Sequence, residues 1–140
     1  REITAIALNE IGKNKYSLLV QNFANADVVG HAGVLKAAIT ACEVLDECIG
    51  KISEKTIEKD YDLIITADHG NAEYMIYEEN GKPCPSHTIN PVIFILVSKK
   101  YQHVKLRTGR GLADIAPTVL QLLGLQKPVE MTGKNIIIDK

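Results

Sequence analysis

The sequence predicts one α/β domain with a mostly parallel sheet and flanking helices, and three observations lead there. Stretches with a 3.6-residue apolar period alternate with short, continuous apolar runs. Two of those runs, YDLIIT (Tyr61 to Thr66) and PVIFILVS (Pro91 to Ser98), carry no polar alternation, as strands covered on both faces do not. The chain has 140 residues, 46% of them hydrophobic and 24% charged, which suits a single core.

The elements follow in order. Ile3, Ile6, Ala7 and Ile11 recur at three and four, so a short amphipathic helix should end at Gly12. After the polar turn Lys13-Asn14-Lys15, the run YSLLVQNF (Tyr16 to Phe23) reads as the first strand. Leu35, Ala38, Ile39, Cys42, Leu45, Ile49 and Ile52 keep the helical period, with Lys36, Glu43, Glu47 and Lys51 left to solvent. Tyr61 to Thr66 and Pro91 to Ser98 supply the second and third strands. Asp114 can cap a last helix that accepts Pro117 in its first turn and stops at Gly124. Strands separated by helices argue for parallel neighbours.

Charge and composition exclude some functions. With 16 basic and 17 acidic residues the net charge is −1, so no broad electrostatic footprint for nucleic acid or an anionic membrane is expected. No apolar stretch approaches the roughly 20 residues that span a bilayer. Arg1-Glu2-Ile3-Thr4 lacks the apolar core of a signal peptide, and a chain without an initial Met is compatible with a piece of something longer. Cys42, Cys48 and Cys84 are odd in number and widely spaced, which points to a reducing compartment and a cytoplasmic protein. Cys84 and His87 have a Cys-x-x-His spacing, but no second pair accompanies them to make a zinc site.

In open α/β sheets ligands collect beyond the carboxyl ends of the strands. Asp27 and His31 fall in the loop after the first predicted strand, Asp68 and His69 just past the second, and His87 shortly before the third. Such a set is the inventory of a metal site for more than one ion: imidazole with carboxylate suits zinc, manganese or iron, whereas an all-oxygen set would suit calcium or magnesium. At the turn opened by Gly70, Asp68 and His69 can serve one ion or bridge two. Taken singly, each pair reads more readily as loop chemistry, a surface histidine or an Asp before Gly in a turn, and it is the three contributions together that favour a metal site. His103 stands without such company and reads as a surface histidine.

Several longer strings go further. NFANADVVGHAG (Asn22 to Gly33), TADHGNAE (Thr66 to Glu73), SHTINPV (Ser86 to Val92), GLADIAPTVLQLLG (Gly111 to Gly124) and EMTGK (Glu130 to Lys134) resemble the C-terminal part of the cofactor-independent phosphoglycerate mutases, a family of the alkaline phosphatase superfamily. The resemblance covers nearly the whole chain. Ala26, Val28, Ala32 and Ile93 depart from the family's usual residues, and none of them replaces a ligand position. The resemblance implies an alkaline phosphatase-like fold, with residues 1–140 as the C-terminal portion of the metal-binding domain. It implies Asp27, His31 and His87 as ligands of one Mn2+, and Asp68 and His69 as part of the shell of a second. Mg2+, Co2+ or Zn2+ are the other candidate ions.

In that family the second ion is completed by an aspartate and the nucleophilic serine of an N-terminal portion. That portion and an inserted transferase domain are not represented here, so no catalytic residue is expected in this chain. Ser86 adjoins His87 but nothing in its motif marks a nucleophile. The implied reaction interconverts 3-phosphoglycerate and 2-phosphoglycerate through a phosphoserine, a step of glycolysis and gluconeogenesis, with the chain alone inactive and forming at most one good metal site. Binding there should weaken at acid pH, because coordinating histidines must be deprotonated. A phosphatase or another phosphomutase of the superfamily is the neighbouring reading. A noncatalytic metal-binding module is the alternative from another class. A sheet without all its neighbours should also leave an edge through which the chain can self-associate.

Overall fold

A computed structural model of the chain describes residues 1–138. Helix α1 runs Glu2–Gly12, α2 Asn25–Gly30 and α3 Leu35–Glu58. Strands β1 Leu63–Thr66 and β2 Phe94–Val97 follow. A short β3 Lys105–Leu106, a 3-10 turn Leu112–Asp114, α4 Ile115–Leu122 and β4 Ile137–Ile138 complete the order.

The helices α1 and α2 both pack against α3. Ala38, Cys48, Ile52 and Thr56 are the buried residues of α3, and the last three, spaced by four, form one stripe along the helix. The helix runs six residues past Ile52, the last residue of the apolar period. It stops because Asp60 turns left-handed, with φ 59°, and the Tyr61 N–H donates back to the Thr56 carbonyl at 2.9 Å. Helix α1 ends at Gly12 as expected, and the chain turns left-handed two residues later at Asn14, φ 50°. Gly124 does close α4, with φ 70° and the Leu125 N–H on the Leu120 carbonyl at 2.9 Å.

The sheet differs from the expected one. β1 and β2 pair antiparallel, Leu63 opposite Val97 and Thr66 opposite Phe94, and β3 pairs antiparallel with β4. A parallel pair needs a crossover that carries the chain back to the starting edge, usually a helix. Residues 67–93 contain no helix; the segment leaves the end of β1, folds beside it and re-enters there as β2. Nor does Tyr16 to Phe23 form a strand. Among the described residues it has no ladder partner, and a strand exists only through its neighbour. The Tyr61 hydroxyl, two residues before β1, donates to the Tyr16 carbonyl at 2.7 Å. Leu18, Leu19 and Val20 are exposed, Val20 at 89%.

The second centre of packing joins the C-terminal segment to α4. Thr118 and Ile137 have no exposed surface. The Thr118 hydroxyl donates to the Asp114 carbonyl at 2.7 Å and accepts the Ile136 N–H at 2.9 Å. The Asp114 carboxylate accepts from Gly111 N–H at 2.9 Å and Lys134 N–H at 2.6 Å. Those donors hold its carboxyl below the usual aspartate range, the Lys134 N–H most of all. No described helix is long and apolar enough to cross a membrane.

Candidate metal centre

Asp27 and His31 do not lie in a loop. Asn25–Gly30 is helical and His31 caps it, so the two residues stand four apart on one helical face. The third contributor, His87, comes from the irregular segment between β1 and β2. The three ligand atoms form a near-equilateral triangle: His31 Nε2 to Asp27 Oδ1 3.3 Å, His87 Nε2 to Asp27 Oδ1 3.2 Å, and His87 Nε2 to His31 Nε2 3.3 Å. Bonds of 2.0–2.1 Å in a tetrahedral site put ligand atoms about 3.3–3.4 Å apart. The triangle therefore has the size that one transition-metal ion requires, and its donors, two imidazoles and a carboxylate, are of the right type.

The other two sequence candidates are placed differently. The His69 ring stacks on His87, centroids 3.6 Å apart and planes 14° from parallel. Its Nδ1 is buried with no hydrogen-bond partner among the described residues, an atom left for a ligand to satisfy. Asp68 turns outward, its side chain 87% exposed and Oδ1 3.7 Å from His69 Nε2. Among the described residues Asp27, His31 and His87 form the one group of three ligands. Cys84 is buried outside it, and His103 is exposed.

The residues packed around the triangle are not among the sequence candidates. Asn71, 6% exposed, donates its Nδ2 to Asp27 Oδ1 at 3.1 Å and lies 3.3 and 3.4 Å from the two ring nitrogens of His31. It reaches them because Gly30 has no side chain: a Cβ there would stand 1.7 Å from Asn71 Oδ1. Glu73 gathers three donors. Its Oε2 accepts the Asn71 N–H at 2.7 Å, and its Oε1 accepts the Asn90 amide at 3.0 Å and the Thr88 hydroxyl. These bonds, the Thr88 hydroxyl foremost, lower the Glu73 carboxyl from its usual range. The glycines of VVGH and DHGN were the visible signal, since each marks a close approach, but what approaches them is not written nearby in the sequence.

A family model described as the metalloenzyme superfamily matches residues 1–127. The chain belongs to the metalloenzyme superfamily. Within this superfamily the chain is 51% identical over 136 residues to a 2,3-bisphosphoglycerate-independent phosphoglycerate mutase of Clostridioides difficile, covering 97% of this chain and 27% of that protein. It is 52% identical over 135 residues to the same-named protein of Clostridium acetobutylicum, covering 96% of this chain and 26% of that one. A crystal structure of Leishmania mexicana phosphoglycerate mutase at low cobalt concentration superposes with a TM-score of 0.88 at 32% identity, over 99% of this chain and 28% of the other. The α/β fold of this superfamily chain is thus that of part of a phosphoglycerate mutase, and the chain spans about a quarter of the length of these relatives.

Proposed function

We propose that residues 1–140 act as the C-terminal portion of the alkaline phosphatase-like, metal-binding domain of a cofactor-independent phosphoglycerate mutase, which interconverts 3-phosphoglycerate and 2-phosphoglycerate. One observation carries the reading: a ligand triangle of metal-binding size lies in a chain half identical to such mutases along nearly its whole length. Asp27, His31 and His87 would hold one ion, Mn2+ by preference, with Co2+, Zn2+ or Mg2+ as alternatives. Asp68 and His69 would contribute to a second site completed from elsewhere in the enzyme. Bound metal lowers the pKa of a hydroxyl nucleophile and offsets charge on a phosphoryl group in transfer.

This chain's own part is positional. Helix α2 fixes the relative placement of Asp27 and His31, the segment before β2 brings in His87, and Asn71 orients the Asp27 carboxylate through its amide. No nucleophile is assigned within the chain, so the isolated chain binds one ion and leaves phosphoglycerate unchanged. Three free thiols, Cys42, Cys48 and Cys84, support a reducing, cytoplasmic setting, and the mutase relatives support a place in glycolysis. Exposed Leu18 and Val20 support self-association of the chain by itself.

The test is calorimetric titration of the chain with Mn2+, beside Asp27→Ala. One ion bound by the parent and none by the variant supports the reading; equal binding by both refutes it. Adding the remainder of a homologous mutase should raise uptake to two ions and restore turnover of 3-phosphoglycerate in preference to generic phosphate esters. A preference for generic esters would instead mark a phosphatase of the same superfamily, and metal uptake without any turnover a noncatalytic module.

A further inference from the structure

We propose that Glu73 is a positioning residue of the metal centre: its carboxylate clasps the segment carrying Asp68 and His69 to the segment carrying His87, and so sets where the His87 ring stands against Asp27 and His31. The proposal rests on the metal-binding reading above. His87 belongs to neither helix nor strand, and a long side chain on irregular backbone does not hold a ligand position by itself. Its neighbours do the holding. The Thr88 N–H donates to the Gly70 carbonyl at 2.8 Å, and the Thr88 hydroxyl and Asn90 amide both donate to Glu73 Oε1. Asn90 N–H also donates to the Thr88 hydroxyl at 3.3 Å, which closes a ring of bonds immediately after His87.

The second oxygen faces the other half of the triangle. Glu73 Oε2 accepts the backbone N–H of Asn71, the residue whose amide touches Asp27 and His31. One carboxylate therefore reaches His87 through Thr88, and Asp27 and His31 through Asn71. Gly70 shows how closely the clasp fits, because a Cβ there would stand 2.2 Å from Thr88 Oγ1 and 2.3 Å from Glu73 Oε1. The chemistry requires an ionised carboxylate: both oxygens accept, and an amide would have to present an NH2 group to one of the donors. Glu73 is not in the ligand group itself, so it acts through the residues it holds. Outer partners of this kind typically change metal affinity about 10–100-fold when removed.

The experiment titrates the full chain with Mn2+ by calorimetry and records the visible spectrum of the Co2+-loaded form, which reports ligand geometry. The variants are Glu73→Ala, Glu73→Gln, Thr88→Val, Thr88→Ser and the double Glu73→Ala/Thr88→Val, each checked by circular dichroism. Glu73→Ala and Thr88→Val should each weaken binding by about 10–100-fold and shift the Co2+ bands. Glu73→Gln should fall between, and Thr88→Ser should bind like the parent. The double variant should be no worse than the weaker single one, since both remove the same clasp. Parent-like affinity and spectrum in a folded Glu73→Ala, or losses that multiply in the double variant, overturn the proposal. If Glu73→Ala does not fold, Thr88→Val against Thr88→Ser decides on the same terms. A parent chain that binds no Mn2+ overturns the metal reading and the clasp together, whereas a parent that binds and variants that match it overturn the clasp alone.

Discussion

Gly30 shows how much a single missing side chain can carry. Asn71 Oδ1 occupies the space a Cβ would take, so Gly30→Ala should push the Asn71 amide off Asp27 and His31. Overpacking of this kind typically costs about 1–3 kcal/mol, and here it should also weaken Mn2+ binding. Urea denaturation and calorimetry on the same protein check both; an unchanged midpoint with unchanged affinity would show that α2 simply shifts aside. The trio Asp27, His31 and His87 was legible only through the resemblance of NFANADVVGHAG and SHTINPV, because the strand-end rule gathered five residues and leaned on a strand at Tyr16 to Phe23 that has no ladder partner among the described residues. The turning-out of Asp68 was not, because adjacent side chains diverge and nothing local says which of the two will face inward. Asn71 and Glu73 were illegible for a related reason: their partners are 44 and 15 residues away.

At the scale of elements, Thr118 and Asp114 fasten the C-terminal segment to α4. Thr118→Val keeps the shape but leaves the buried Ile136 N–H without its acceptor, and an orphaned buried donor costs about 1–3 kcal/mol. The loss should appear as a lower urea midpoint. Asp114 adds a pH signature. Its carboxyl is held below the range of an unfolded aspartate by the N–H groups of Lys134 and Gly111, so the folded chain favours the ionised form. The resulting stability is present above the unfolded aspartate pKa, about 3.9, and fades as pH falls through the lower folded value. Asp114→Asn should therefore be less stable than the parent at neutral pH, and the gap should narrow in acid; a gap that widened would contradict the assignment. Helices α3 and α4 were readable because a long apolar period and a stop residue are local. The strand direction was not, since it depends on what 67–93 does, and α2 was missed because six residues are too few to show a period.

For the whole molecule, the governing fact is apolar surface left uncovered. Tyr16 to Phe23 read as the first strand, yet Leu18 is 52% and Val20 89% exposed, so this apolar run offers surface for another chain to cover. The chain alone should self-associate with rising concentration, as light scattering after gel filtration would show, and Leu18→Lys with Val20→Lys should reduce it. A monomer at all concentrations would count against this. The ligand triangle has a consequence for the polymer as well. An ion shared by His31 and His87 would cross-link residues 56 apart, and tying a loop of that length removes about 4 kcal/mol of freedom from the unfolded chain in the chain-entropy account of cross-links. Metal would then serve this chain as a reversible staple: chelation should lower its melting temperature and speed amide exchange between 67 and 93 first, well before α3 loosens.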